Sequence, residues 1–132
     1  MFYRFLASQT GLAYHALRIV SGVLVSVHGM QKIFGVLPMH EMGKLPEFPS
    51  QMWFGGIIEL VAGLMIALGV FTSCAAFIAS GTMAVAYIQF HWQFQFDRNF
   101  FPVVNQGELA LVYAFVFLYI ACRSAAKSQK PG

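Results

Sequence analysis

Between Leu60 and Phe90 the chain runs 31 residues without one Asp, Glu, Lys, Arg or His. As a single helix this stretch would be about 46 Å long, well beyond the roughly 30 Å of hydrocarbon in a bilayer. It must therefore break, and Gly69-Val70-Phe71-Thr72-Ser73 supplies the break. Glycine suits a helix C-cap, and Thr or Ser suits the next N-cap. Two spans follow, about 51–69 and 73–93. A third apolar run precedes them at about 11–35, and a fourth closes the chain at about 106–123. The spacing predicts one domain over 1–132, an all-α polytopic membrane four-helix bundle.

Composition agrees. Only 10% of residues are charged and 58% are hydrophobic, against about 25% charged in soluble domains. A body this small could not cover its surface with so few polar groups in water. A soluble monomer, a disordered chain and a nucleic-acid binder are excluded. The net charge of +3 is scattered and forms no basic stripe. Cys74 and Cys122 match no zinc spacing and are read as reduced thiols, so no metal is expected. His15 and Arg18 interrupt the first apolar run, and no small-residue cleavage site follows it, so the N-terminus is read as retained.

Within the first span, His15, Arg18, Gly22, Gly29 and Lys32 fall on one helical face, with His28 at its edge. Leu17, Val20, Leu24 and Val27 form an apolar face suited to lipid. In the second span Gly55, Glu59, Gly63 and Ala67 recur every four residues, a small-residue seam of the kind that lets helices approach closely. The loop 36–50 holds Pro38, Pro46, Pro49, Gly43, Glu41, Lys44 and Glu47, with Phe48 and Trp53 placed for an interface. Asn105 and Glu108 read as the N-cap and N3 of a capping box. The tail from Arg123 reads as polar and mobile.

Four spans place both termini on one side, with Arg4, Arg123, Lys127 and Lys130 there, against Lys44 and Arg98 opposite, with Lys32 at the end of the first span. The excess of basic residues favours cytoplasmic termini. Helical rise then puts His28 about 10 Å and Glu59 about 12 Å in from the outer ends of their spans. Lys32, His91, Asn105 and Glu108 lie near the same level. Ionisable groups at that depth are costly unless paired, neutralised or wetted, so they point to one polar cavity open to the outside. Glu59 and His28 are expected to act as a coupled pair. Blander roles stand beside these: Glu108 as a cap, Lys32 snorkelling, His91 as an interfacial anchor, and Arg18 reaching headgroups.

Arg18-Ile19-Val20, His28-Gly29-Met30-Gln31-Lys32-Ile33-Phe34-Gly35, Ile58-Glu59-Leu60-Val61-Ala62-Gly63 and Phe101-Pro102-Val103-Val104-Asn105-Gln106-Gly107-Glu108 occur in that order. Together they resemble the DoxX family of small bacterial membrane proteins, from Arg18 to Arg123. The resemblance implies a four-helix inner-membrane protein linked to redox chemistry, since the family is named for a subunit of a thiosulfate:quinone oxidoreductase. It carries over the family's Arg to Arg18, its His-Gly to His28 and Gly29, its Lys to Lys32, its Glu to Glu59, and the start of its last span to Asn105, Gly107 and Glu108. The Gly-x-Gly turn and Ser-Leu-Asp tail that often close the last span in the family are replaced here by Arg123-Ser124-Ala125-Ala126-Lys127-Ser128.

Two function classes fit. In one, His28, Lys32, Glu59, His91, Asn105, Glu108 and Arg18 serve a ligand or its protons, the ligand being a quinone or a small polar species. The chain is then a non-autonomous subunit of an oxidoreductase system, because it has no CxxC or GxGxxG motif and needs a redox partner. In the other, the pocket binds lipid or a partner helix without chemistry, in a homo-oligomer or an assembly. A transporter is a weaker third reading, as no broken-helix repeat is evident.

Overall fold

The computed structural model describes residues 1–37 and 44–129. Pro38, Glu41 and Gly43 of the proline-rich loop, and Lys130 of the tail, lie outside the described residues. Among the described residues four helices are long and apolar enough to cross a membrane: Thr10–Phe34, Gln51–Leu68, Thr72–Trp92 and Glu108–Ser128. They match the four expected spans within a few residues, except at the C-terminus. We label the elements α1 (Phe2–Ser8), α2 (Thr10–Phe34), α3 (Gln51–Leu68), α4 (Thr72–Ala86), α5 (Pro102–Asn105) and α6 (Glu108–Ser128). A π-helical turn, Tyr87–Trp92, extends α4 to its full span. The end at which Thr10–Phe34 and Thr72–Trp92 finish and Gln51–Leu68 and Glu108–Ser128 begin is called the loop end below, and the opposite end the terminus end.

The bundle is built as two close pairs. α2 lies along α3 and α4 lies along α6; α3 against α4 joins them, while α2 and α6 barely touch. Small residues explain the first pair. A Cβ on Gly22 would come within 2.7 Å of the Gly63 carbonyl, and one on Gly29 within 2.6 Å of the Gly56 carbonyl. Backbone thus meets backbone, and any larger residue would force the helices apart. The seam on α3 therefore runs through Gly56 and Gly63, not through the expected Gly55, whose Cβ would meet nothing within 4 Å. Seven residues return to within about 20° of the same helical face, whereas eight drift by about 80°. Gly56–Gly63 thus matches the seven-residue step of Gly22–Gly29, and Gly55 has turned away.

Hydroxyls fasten the second pair. Ser73 Oγ donates to the Ala121 carbonyl at 2.9 Å and Ser80 Oγ to the Ala114 carbonyl at 2.6 Å. Ala75, Ala76 and Ala79 are buried on α4, whose small side chains let it approach α6, and Phe117, Ile120, Ile66 and Val25 are fully buried in the core. Outside, Leu17, Val20 and Leu24 are exposed, as expected of a lipid face.

Three local expectations are corrected. Gly69 does close α3 in the left-handed conformation, but the residue before α4 is Phe71, at φ 44°, with no side-chain cap. Ser73 is unavailable as a cap because its hydroxyl is spent on α6. At the other turn the cap of α6 is Gly107, so Glu108 is the first helical residue and the capping box does not form. Asn105 instead ends α5. Finally, α6 continues to Ser128 rather than stopping at Arg123. Ala125, Ala126 and Lys127 are good helix formers, and the Arg123 guanidinium sits 5.1 Å from the centre of the Tyr14 ring, binding the helix extension to α2.

Candidate functional site

Against the close α2–α3 and α4–α6 pairs, the bundle opens toward its loop end. A cavity of about 730 Å³ lies there, lined from all four spans. That volume suits a drug-sized or cofactor-sized molecule. α2 contributes Val25, His28 and Lys32, and α3 contributes Ile58 and Glu59. α4 and its π turn contribute Met83, Phe90 and His91, and Leu109, Ala110 and Tyr113 come from α6. The walls are mostly aliphatic and aromatic, with a few polar groups set among them.

The principal polar feature is an ion pair. Lys32 Nζ lies 2.6 Å from Glu59 Oε1, with the side chains 23% and 4% exposed. Each charge neutralises the other, which is what allows both to sit within an apolar bundle. Glu59 reaches Lys32 because Gly56 and Gly29 bring the two helices together just beyond the pair: a Cβ on Gly56 would lie 2.9 Å from Lys32 Cβ. The second carboxylate oxygen, Oε2, is buried and has no hydrogen-bond partner among the described residues. The expected His28–Glu59 pair is thus replaced by Lys32–Glu59. His28 lines the same cavity without bonding to the carboxylate. Lys32 is one helical turn nearer the loop end, and its long stem lets the ammonium reach back toward the N-terminus of its own helix.

His91 enters the lining from the π turn that ends the third span. Its position follows from the π turn and from Asn105. His91 Nδ1 lies 3.1 Å from the Asn105 carbonyl, and Asn99 Nδ2 donates to the His91 carbonyl at 3.4 Å. The Asn105 side chain donates to the Asn99 carbonyl at 2.9 Å and accepts from Gly107 N–H at 2.8 Å. It also donates to the Tyr87 hydroxyl at 3.4 Å. A Cβ on Gly107 would meet the Tyr87 ring and Asn105 Oδ1 at 2.7 Å, so any larger residue there would have to displace them. Asn105 is therefore a positioning residue behind His91, not part of the cavity lining. Gln51 of α3 donates to Gln89 of the π turn near the cavity.

Two of the expected site residues stand elsewhere. Glu108 is exposed at the start of α6, outside the lining. Arg18 lies toward the terminus end, where its Nη1 donates to the carbonyls of Ile66, and of Ala67 at 3.0 Å. Carbonyls in the last turn of a helix lack partners and carry partial negative charge, so a guanidinium is a fitting partner for them. Arg18 is thus engaged by α3 rather than by a ligand. Of the packing glycines, Gly22, Gly29 and Gly63 lie in the contact, and Gly55 lines the cavity. Tyr113, Gln51 and Gln89 had no signal in the sequence, since none stands out among apolar or loop neighbours. Among the described residues no group of His, Cys, Asp and Glu could hold a metal, and Cys74 and Cys122 are free and exposed.

Compared with known proteins, the chain matches the DoxX family over residues 13–92. A Haemophilus influenzae protein described as uncharacterized is 39% identical over 99 residues, which cover 66% of this chain and 73% of that protein. No solved structure matches the chain. The family match spans more than half of the chain and includes Arg18, His28, Lys32, Glu59 and His91; this multi-pass membrane protein belongs to the DoxX family.

Proposed function

We propose that the chain is an inner-membrane subunit of an oxidoreductase system that holds a neutral, quinone-type amphiphile in the four-helix cavity. One observation carries this reading: a 730 Å³ cavity, mainly apolar, whose two formal charges, Lys32 and Glu59, already cancel each other. An anion would need a spare cation there. Lys32 is paired, and Arg18, a part-buried cation of the same helix, donates to the α3 carbonyls of Ile66 and Ala67. A sulfur oxyanion is therefore disfavoured. A neutral ring bearing oxygens suits the polar groups, and an aliphatic tail suits walls such as Ile58, Val85 and Leu109. A quinone supplies two-electron chemistry when bound; Lys32, Glu59, His28 and His91 would hold its ring oxygens and handle protons. The sequence carries no CxxC or GxGxxG motif, so on this reading electrons come from a partner subunit. The termini face the cytoplasm, following the basic excess of Arg4, Arg123 and Lys127, and the cavity then opens toward the outer leaflet.

The test uses the cavity's own geometry. Gly81 lines it, and a Cβ there would meet nothing within 4 Å. Gly81→Leu should fill the space without straining the bundle. Protein purified in mild detergent should bind a decyl-tailed benzoquinone with micromolar affinity, and Gly81→Leu should lose at least about tenfold of it at unchanged melting temperature. Binding of thiosulfate with no binding of the quinone would reverse the assignment.

A further inference from the structure

The hydrogen-bond polarity of the cavity lining differs from what an oxidised quinone requires. A dione ring carries only acceptors. The cavity also presents acceptors, and they come from two independent observations.

The first is Glu59. The residue is 4% exposed, lines the cavity, and leaves Oε2 buried without a partner among the described residues. A carboxylate oxygen in that state needs a donor. The terminal torsion of Glu is soft, so a small rotation about it can turn the free oxygen toward the cavity while Lys32 follows on its flexible stem.

The second is His91. Its Nδ1 faces the Asn105 carbonyl at 3.1 Å. A carbonyl can only accept, so Nδ1 must carry the hydrogen. In the neutral ring Nε2 is then the unprotonated nitrogen, an acceptor. Nε2 has no partner among the described residues, and the ring lines the cavity. The tautomer is therefore imposed from behind, by a carbonyl that Asn105 holds in place through its bonds to Asn99, Gly107 and Tyr87.

Glu59 and His91 thus line the cavity from different elements, α3 and the π turn of α4, each with an acceptor that has no partner among the described residues. Lys32 retains N–H donors and His28 can serve as donor or acceptor, so these two do not discriminate between ligand forms. Glu59 and His91 do. Resting on the quinone-type reading above, we propose that the cavity selects a ring bearing hydroxyl donors, namely the hydroquinone form, over the corresponding dione. One hydroxyl donates to Glu59 while accepting from Lys32. The other donates to His91 Nε2. With the dione bound, both acceptors stay unpaired in an apolar surround. A site built to pair a hydroxyl discriminates strongly against an analogue lacking it. Tighter binding of the reduced form also raises the reduction potential of the bound couple, so the site favours keeping the ring reduced.

Ligand variation tests this without perturbing the protein. A decyl-tailed benzoquinone, its hydroquinone and the dimethyl ether of that hydroquinone are titrated anaerobically into the detergent-purified chain, with heat as the readout. The ether keeps ring and tail but has no donor. The hydroquinone should bind at least about tenfold more tightly than either of the others. His91→Phe keeps a flat ring without the acceptor and should shrink that ratio by about threefold or more. Equal affinity for all three ligands overturns donor selection and leaves the quinone-type site standing. Binding of none overturns the site itself. Should His91→Phe disturb the loop it anchors, the three-ligand comparison on the unaltered chain still decides.

Discussion

Glu59 and Arg18 are both charged groups inside an apolar bundle, yet they do opposite things. Arg18 spends its donors on the carbonyls of Ile66 and Ala67 and sits against Gly69. Glu59 is held by Lys32 through one oxygen at 2.6 Å, with the other left free. Their substitutions should therefore separate stability from binding. Arg18→Leu leaves helix-end carbonyls without their partner and should lower stability by about 1–3 kcal/mol, read as a lower melting temperature in detergent, while affinity for the quinone analogue stays within about twofold. Lys32→Met strands a buried carboxylate. It should cost about 3 kcal/mol, the lower part of the range for breaking a buried pair because Lys32 is partly exposed. Adding Glu59→Leu removes the stranded charge and should recover most of that stability, while binding stays lost. If the double variant is no more stable than Lys32→Met alone, the pair does not act as a unit.

At the level of the helices, the α2–α3 contact depends on which glycines face the partner. Gly56→Leu would drive a side chain into Lys32 Cβ and the Ile33 side chain, 2.9–3.1 Å from its Cβ alone. Gly55→Leu points where nothing lies within 4 Å. The first should lower the melting temperature by 10 °C or more, on the order of 2 kcal/mol or above for overpacking. The second should leave it nearly unchanged while shrinking the cavity. Equal melting of the two would mean that the seam is misassigned. The distinction also marks where the sequence ceased to be legible. Hydropathy alone placed four spans, because 31 residues without charge cannot cross once. It also placed Gly22, Gly29 and Gly63 on inward faces. Gly55 and Gly56 are neighbours, and only the partner helix decides which of them is buried. The same holds for Lys32: a four-carbon stem reaches back a turn, so spacing along the chain pointed to His28 as the partner of Glu59. The π turn at Tyr87–Trp92 has no signature in composition, and with it the carbonyl that sets the His91 tautomer was hidden.

The whole molecule is asymmetric from end to end. At the loop end Trp92 packs with Phe94, Phe96 and Phe100 at 5.2–5.9 Å, and Phe48 packs with Trp53 at 5.0 Å. At the terminus end Tyr14, Tyr119 and Arg123 close α2 against α6. Rings of this kind collect at both membrane interfaces, so they fix depth and not direction. Direction rests on charge. By sequence Arg4, Arg123, Lys127 and Lys130 belong to the terminus side, and Lys44, Arg98 and, at the end of the first span, Lys32 to the loop side, a narrow difference on which the proposal of cytoplasmic termini rests. With Cys74 and Cys122 replaced by Ser or Ala, single cysteines at Lys44 and at Ser128 report the two ends to a membrane-impermeant maleimide in intact cells. Labelling at Lys44 and protection at Ser128 is the expected result. Because the cavity lies at the loop end, the same measurement fixes the leaflet from which the proposed ligand would be drawn: labelling at Ser128 with protection at Lys44 would turn the Lys32–Glu59 pair toward the cytoplasm.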